Sequence, residues 1–133
     1  MNNQKIKILM IEPMKPPKVC FVKPTIKNFE KLVDVTAIRH GGMEAKKLEK
    51  GVYALFNKDR FLSNLPPNRR IGDDIICGTI VVLGGNEDYA PVSLTDEQVL
   101  KYTLRFGSVE TFDDIDVMEA NLDLFYARLS REE

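Results

Sequence analysis

The sequence predicts an α+β domain, a mostly antiparallel sheet of 4–6 strands with two packing helices and a C-terminal amphipathic helix. Three observations carry that reading. Short apolar, β-branched runs alternate with Pro- and Gly-rich turns. Two segments open with helix-capping residues. Apolar positions near the C terminus step by three and four.

The elements follow in chain order. Lys5-Ile6-Lys7-Ile8 alternates polar and apolar and runs into Leu9–Ile11, a strand entering a core. Glu12-Pro13-Met14-Lys15-Pro16-Pro17 is a stiff turn, because each proline fixes φ and removes a donor. Lys18–Val22 pairs back on the first strand as a hairpin. Thr25 caps a helix whose Ile26, Phe29, Leu32 and Val33 recur at helical spacing, with Lys27, Glu30 and Lys31 on the other face. Val35–Ile38 is a candidate third strand, and Gly41-Gly42 breaks the chain. Met43–Lys50 reads as a loop or a strand edge, Gly51–Phe56 as a strand, and Asn57-Lys58-Asp59 as a turn.

Leu65-Pro66-Pro67-Asn68-Arg69-Arg70 is expected to be irregular, since adjacent prolines disfavour both ladder and helix interior. Ile75–Leu83 is the most apolar stretch and predicts one central strand, kinked at Gly78. Gly84-Gly85-Asn86 turns the chain, and Tyr89–Val92 pairs at an edge because of Pro91. Thr95 and Gln98 have the spacing of a capping box, opening a helix that runs to Phe106 and stops at Gly107. A last helix is expected from Phe112 to Leu129, capped by Thr111, with Asp113, Asp114 and Asp116 in its first turn. Ile115, Met118, Leu122, Phe125 and Leu129 form its apolar seam, which needs a partner: its own domain or a second copy. The expected organisation is an α+β domain over residues 1–107 and an acidic amphipathic helix over 108–133, hinged at Gly107–Glu110.

Charged residues make up 29% of the chain and the net charge is −1, but the distribution is uneven. Residues 1–70 hold 15 Lys/Arg against 6 Asp/Glu, a balance of +9; residues 71–133 hold 4 against 14, a balance of −10. Such asymmetry fits either mutual neutralisation across the fold or charged partners. No apolar run approaches the roughly 20 residues of a membrane span. The first residues show no apolar signal region, so the expected location is the cytoplasm, with no membrane partner. Cys20 and Cys77 are expected to be reduced, buried thiols.

Catalytic and metal chemistry finds little footing. His40 is the only histidine and sits beside Gly41-Gly42, away from either cysteine in sequence. Hydrolases of the Ser-His-Asp or Cys-His kind need a base beside the nucleophile. One His and two separated Cys do not make a zinc set. Gly84-Gly85 lacks the phosphate-loop lysine and the three-glycine spacing. Asp113-Asp114-x-Asp116 lacks the central glycine and closing glutamate of a calcium loop. The expectation is therefore no catalytic residue, no metal and no cofactor. Nucleic acid is disfavoured by sparse aromatics, absent Trp and a pI near 5.9.

Asn68-Arg69-Arg70-Ile71-Gly72-Asp73-Asp74 is the informative stretch. Prolines stiffen its start and Gly72 permits a sharp turn. Two guanidiniums on a preorganised loop suit bidentate capture of phosphate or carboxylate, making Asn68, Arg69, Arg70, Asp73 and Asp74 the candidate ligand-binding residues. The alternative is that Arg69 or Arg70 pairs with Asp73 or Asp74 and pins the loop.

Four stretches also stand in a familiar order: Glu12-Pro13, Leu65-Pro66-Pro67-Asn68-Arg69, Asp74-Ile75-Ile76-Cys77-Gly78-Thr79, and Ser93-Leu94-Thr95-Asp96-Glu97 opening a helix that ends at Phe106. Over about residues 5–106 the chain resembles a small bacterial and phage domain family of unknown function. That family shows an early strand followed by Glu-Pro, a central Leu-Pro-x-Asn-Arg, an apolar strand with an inner Gly, and a closing Ser-Leu-Thr-x-Glu helix. The resemblance implies an accessory protein of a phage or mobile element, encoded near antirestriction genes; it transfers no catalytic residue. The functional expectation is a non-enzymatic protein that binds and antagonises a host defence protein. The alternative is a binder that sequesters an anionic, nucleotide-like small molecule through Asn68-Arg69-Arg70. A homodimer through the C-terminal helix is compatible with both.

Overall fold

The computed structural model describes residues 4–35, 42–58 and 65–113, and within the C-terminal segment residues 116–119, 122, 126 and 129. The α+β class holds. In chain order the elements are β1 (Ile6–Ile11), β2 (Lys18–Val22), α1 (Ile26–Leu32), β3 (Met43–Glu49), β4 (Val52–Asn57), β5 (Pro67–Ile71), β6 (Asp74–Cys77), β7 (Ile80–Gly85), β8 (Pro91–Val92) and α2 (Asp96–Arg105). A C-terminal helix follows, described at residues 116–119, 122, 126 and 129.

Six strands form one sheet in the order β2-β1-β7-β4-β3, with β8 added to the end of β7; β5 and β6 form a separate two-stranded ribbon. Every pairing among the described residues is antiparallel. Strand alternation sorts the apolar residues onto two faces. Leu9, Ile11, Val52, Ala54, Phe56, Ile80 and Val82 face one way and pack with Tyr102 and Phe106 of α2 and with Ile71 and Ile76 of the ribbon. Ile8, Val81 and Leu83 face the other way and pack with Phe29 and Val33 of the α1 region. The sheet is thus a central layer, with α2 and the ribbon on one side and α1 on the other.

The expected caps of α1 and α2 form. Thr25 accepts from the Asn28 backbone N–H at 3.2 Å. Thr95 and Gln98 complete a reciprocal capping box at 3.1 and 2.9 Å. Of Met43–Lys50, which the sequence allows as a loop or a strand edge, Met43–Glu49 is the edge strand β3, with a bulge between Lys47 and Glu49.

Several expectations are corrected. The diproline segment is not irregular: β5 begins at Pro67, the strand position that tolerates a missing donor, and a register shift between Pro67 and Arg69 sets Asn68 outside the ladder. Ile75–Leu83 is two strands in two sheets. Gly78 has φ +80, and a Cβ there would lie 2.7 Å from Leu65 Cδ1, so the chain turns a corner only glycine accommodates. Gly84 and Gly85 belong to β7; the turn is Asn86–Ala90, where the Asn86 side-chain oxygen accepts from the N–H groups of Asp88 and Ala90 at 2.9 and 3.0 Å. Ile26 does not join the core side of α1 and is 72% exposed. The last helix is capped by Asp113, not Thr111: Asp113 Oδ1 accepts from the Asp116 N–H at 2.7 Å, Asp116 Oδ2 accepts in return at 3.4 Å, and Val117 N–H donates to the Asp113 carbonyl at 3.3 Å. Cys77 is buried as expected, whereas Cys20 is only half-buried, and neither is in a disulfide. Of the candidate strand Val35–Ile38 only Val35 is described, and it lies outside any strand; residues 36–38, His40, Gly41, Asp59, Asp114 and the seam residues Ile115 and Phe125 lie outside the described residues.

Candidate functional site

The Asn68–Asp74 stretch is a tight hairpin whose two arginines part company. Strand alternation sends Arg69 inward and Arg70 outward. Arg69 is 1% exposed. Its Nε donates to the Phe106 carbonyl at 3.1 Å, Nη1 to Asn68 Oδ1 at 2.8 Å, and Nη2 to the Lys15 carbonyl at 2.7 Å. Asn68, fully buried, donates through Nδ2 to the carbonyls of Ile11 at 2.7 Å and Gly78 at 2.8 Å. These two side chains tie together β1, the 12–17 turn, the β6–β7 corner and the C-terminal end of α2. A cation there also suits the helix dipole. Burial pushes the Arg69 guanidinium down from its ordinary value, against the pull of the Glu110 carboxylate.

Arg70 remains exposed. Its guanidinium stands 5.3 Å from the centre of the Phe112 ring, and its backbone N–H donates to Glu110 Oε2 at 2.8 Å. Gly72, at φ +62, leads the two-residue turn of the hairpin. Asp73 is exposed at that turn, and Asp74 Oδ2 lies 3.7 Å from Lys46 Nζ on β3. The hairpin therefore brings Asn68 and Arg69 into one buried hub and does not place Arg69 and Arg70 side by side. Arg69 is held by backbone carbonyls and Asn68, and Asp74 pairs with Lys46, so the expected pinning of an arginine by Asp73 or Asp74 is not the arrangement among the described residues.

A second region was not anticipated from sequence. On the α1 face a cavity of about 400 Å³ opens between α1, the β3–β4 pair and the 86–91 hairpin, lined by Ile26, Phe29, Tyr53, Leu55, Leu83 and Tyr89 among others. It exists because α1 spans 7 residues and cannot cover a six-stranded sheet. Its two lips are bare: Ile26 is 72% and Tyr89 84% exposed. Tyr89 adopts φ 58, a conformation unfavourable for a bulky side chain. The signal available in the sequence was the shortness of the helical apolar pattern, which stops at Val33, and the unexplained tyrosine two residues before Pro91.

Of the expected partner seam, Met118, Leu122 and Leu129 are 56%, 44% and 42% exposed. Among the described residues no group of three or more His, Cys, Asp and Glu stands together as a metal set, and no helix is long and apolar enough to cross a membrane.

An antiparallel sheet between a short helix on one face and a longer helix with a β-ribbon on the other defines a small layered α+β domain. Residues 6–107, well over half of the chain, match the family described as a domain of unknown function, DUF3846, and the chain belongs to that family. No curated protein and no solved structure matches the chain. The C-terminal helix follows the matched region.

Proposed function

We propose that the protein is a non-enzymatic accessory protein of a phage or mobile element that binds, and thereby antagonises, a host defence protein. The observation that carries the binding role is the α1-face groove with Ile26 and Tyr89 bare on its lips. Large apolar side chains displayed on both sides of an apolar depression are characteristic of protein docking surfaces. A strained backbone at Tyr89 that serves to present an aromatic ring fits the same use. The host target and the mobile-element setting rest on the family resemblance in the four ordered motifs.

The alternative, sequestration of an anionic or nucleotide-like small molecule at Asn68-Arg69-Arg70, draws less support. The donors of Asn68 and Arg69 are engaged inside the fold, which leaves Arg70 as the exposed guanidinium of the pair. Immobilised protein challenged with a bacterial host lysate tests the main reading. Wild type is expected to retain a specific host protein and Tyr89→Asn to lose it. Retention of nothing above background, together with a nucleotide-induced rise in melting temperature that Arg70→Ala abolishes, would transfer the case to the alternative.

A further inference from the structure

The geometry points to a second copy of this chain as an occupant of the α1-face groove, through its acidic C-terminal helix, in a reciprocal dimer. This inference rests on the reading of the groove as a protein-docking surface and names a partner for it.

Charge supports it first. The groove floor is apolar, and exposed lysines neighbour its lining residues: Lys23 and Lys27 adjoin Pro24 and Ile26 in the chain, and Lys47 is the register partner of Tyr53. Of the nearby acids, Glu87 and Asp88 stand at the opposite tip, beside Tyr89, and Glu30 lies one helical turn after Ile26, so lysines outnumber acids on the α1 and β3 sides. Residues 107–133 carry 8 Asp/Glu against 2 Arg. In the C-terminal helix, Asp116 and Glu119 flank the exposed seam residues Met118 and Leu122. An apolar seam edged with carboxylates complements an apolar groove edged with ammonium groups.

Connectivity then selects the copy. The helix leaves the body beside β5, where the Arg70 N–H holds Glu110 and its guanidinium covers Phe112. That ribbon packs on the α2 side of the sheet, whereas the groove opens on the α1 side. Packed layers lie about 10 Å apart, so the path to the chain's own groove crosses two such spacings and rounds a sheet edge. At 1.5 Å per residue, Met118 and Leu122 lie only about 8 and 14 Å from the Asp113 cap. The first turns of the seam fall short of their own groove and are free to enter another copy's. Exchange in both directions closes a two-fold dimer with two equal contacts.

Sedimentation equilibrium of the full chain is expected to give twice the chain mass of 15.2 kDa. Leu122→Asp on the helix and Ile26→Asp on the groove lip should each weaken the dimer by at least about tenfold. Both side chains are exposed, and an acid in the first turn suits α1, so circular dichroism should show an unchanged fold. An equimolar mixture of the two variants keeps one intact contact and should associate more tightly than either alone, and added salt should weaken the wild-type dimer. A chain monomeric at its highest soluble concentration overturns the inference. So does a dimer broken by Leu122→Asp but indifferent to Ile26→Asp, which would be seam-to-seam pairing. A monomer that still retains a host protein sinks the dimer and leaves the proposed function standing; a dimer dissolved by both variants upholds the inference even where no host protein is retained.

Discussion

The ribbon side and the α1 side of the sheet handle their unusual residues in opposite ways. Beneath β5, Arg69 and Asn68 turn their donors onto carbonyls from four separate segments, and the hub presents almost no surface. Across the sheet, Ile26 and Tyr89 turn apolar groups to the outside around an open groove. Chemically rich residues can thus be structural, while plain apolar ones mark the surface available for contact. A buried polar network is expensive to break because each orphaned carbonyl loses its partner out of reach of water. An exposed apolar lip can change with little effect on stability.

Substitutions ranked by effect can break or sharpen that contrast. Arg69→Met keeps the volume and removes the donors, and should lower unfolding stability by about 3 kcal/mol in urea titration while leaving partner retention by the folded fraction unchanged. A stable Arg69→Met variant that loses binding would reverse the assignment of the two sides. Asn68→Ala, read the same way, should lose about 2 kcal/mol, since two buried carbonyls go unpaired.

A pH profile probes the edge of the α2 side. Glu49 accepts from the Tyr102 hydroxyl and from Lys101 Nζ at 3.0 Å, and these bonds hold its carboxyl below the ordinary 4.5. A depressed folded-state pKa gives stability that is present above the unfolded value and lost as the pH falls through the folded one. Burial, and then the bond to Glu49, push Tyr102 up from 10 to about 12. A raised folded-state pKa gives stability that is present below pH 10 and lost as the pH rises toward 12. Tyr102→Phe should therefore flatten the melting-temperature profile on both its acid and alkaline limbs. An unchanged profile would remove the pair from the account.

Tyr89→Asn is the smallest perturbation of the fold. It should raise stability by about 0.5 kcal/mol, because asparagine tolerates positive φ better than tyrosine. If stability rises while partner retention falls, the two sides of the sheet are separable in function. Equal retention would remove Tyr89 from the docking surface.

Local signals carried much of the fold. The caps at Thr25 and Thr95 bond only to residues three positions away, so spacing alone reveals them. The alternation of β1 and the apolar run of β4 likewise show in short windows. Pro67 misled because a proline's effect depends on where the strand begins and where its bulge falls, which the partner strand decides. The continuous run from Ile75 to Leu83 concealed a change of sheet, because the corner at Gly78 is set by Leu65 packing against it. In the candidate site, arginine at position 69 was visible but its direction was not, since the receiving carbonyls lie 37 and 54 residues away. The groove was least legible of all, being space left uncovered where a helix of two turns meets a wider sheet.

The Asn86 tip repeats the contrast within a single turn. Its turn is closed by the Asn86 side chain, which accepts from Asp88 and Ala90, and by backbone bonds from Asn86 N–H to the Ala90 carbonyl and from Tyr89 N–H to the Asn86 carbonyl; these bonds use the backbone of Tyr89 and not its ring. The side chain at position 89 can therefore change, among residues that tolerate φ 58 such as asparagine and glycine, with the turn and the core held constant. On the proposed docking role, that arrangement uncouples recognition from foldability: the ring offered to a partner can change while the hydrogen bonds that shape the tip persist.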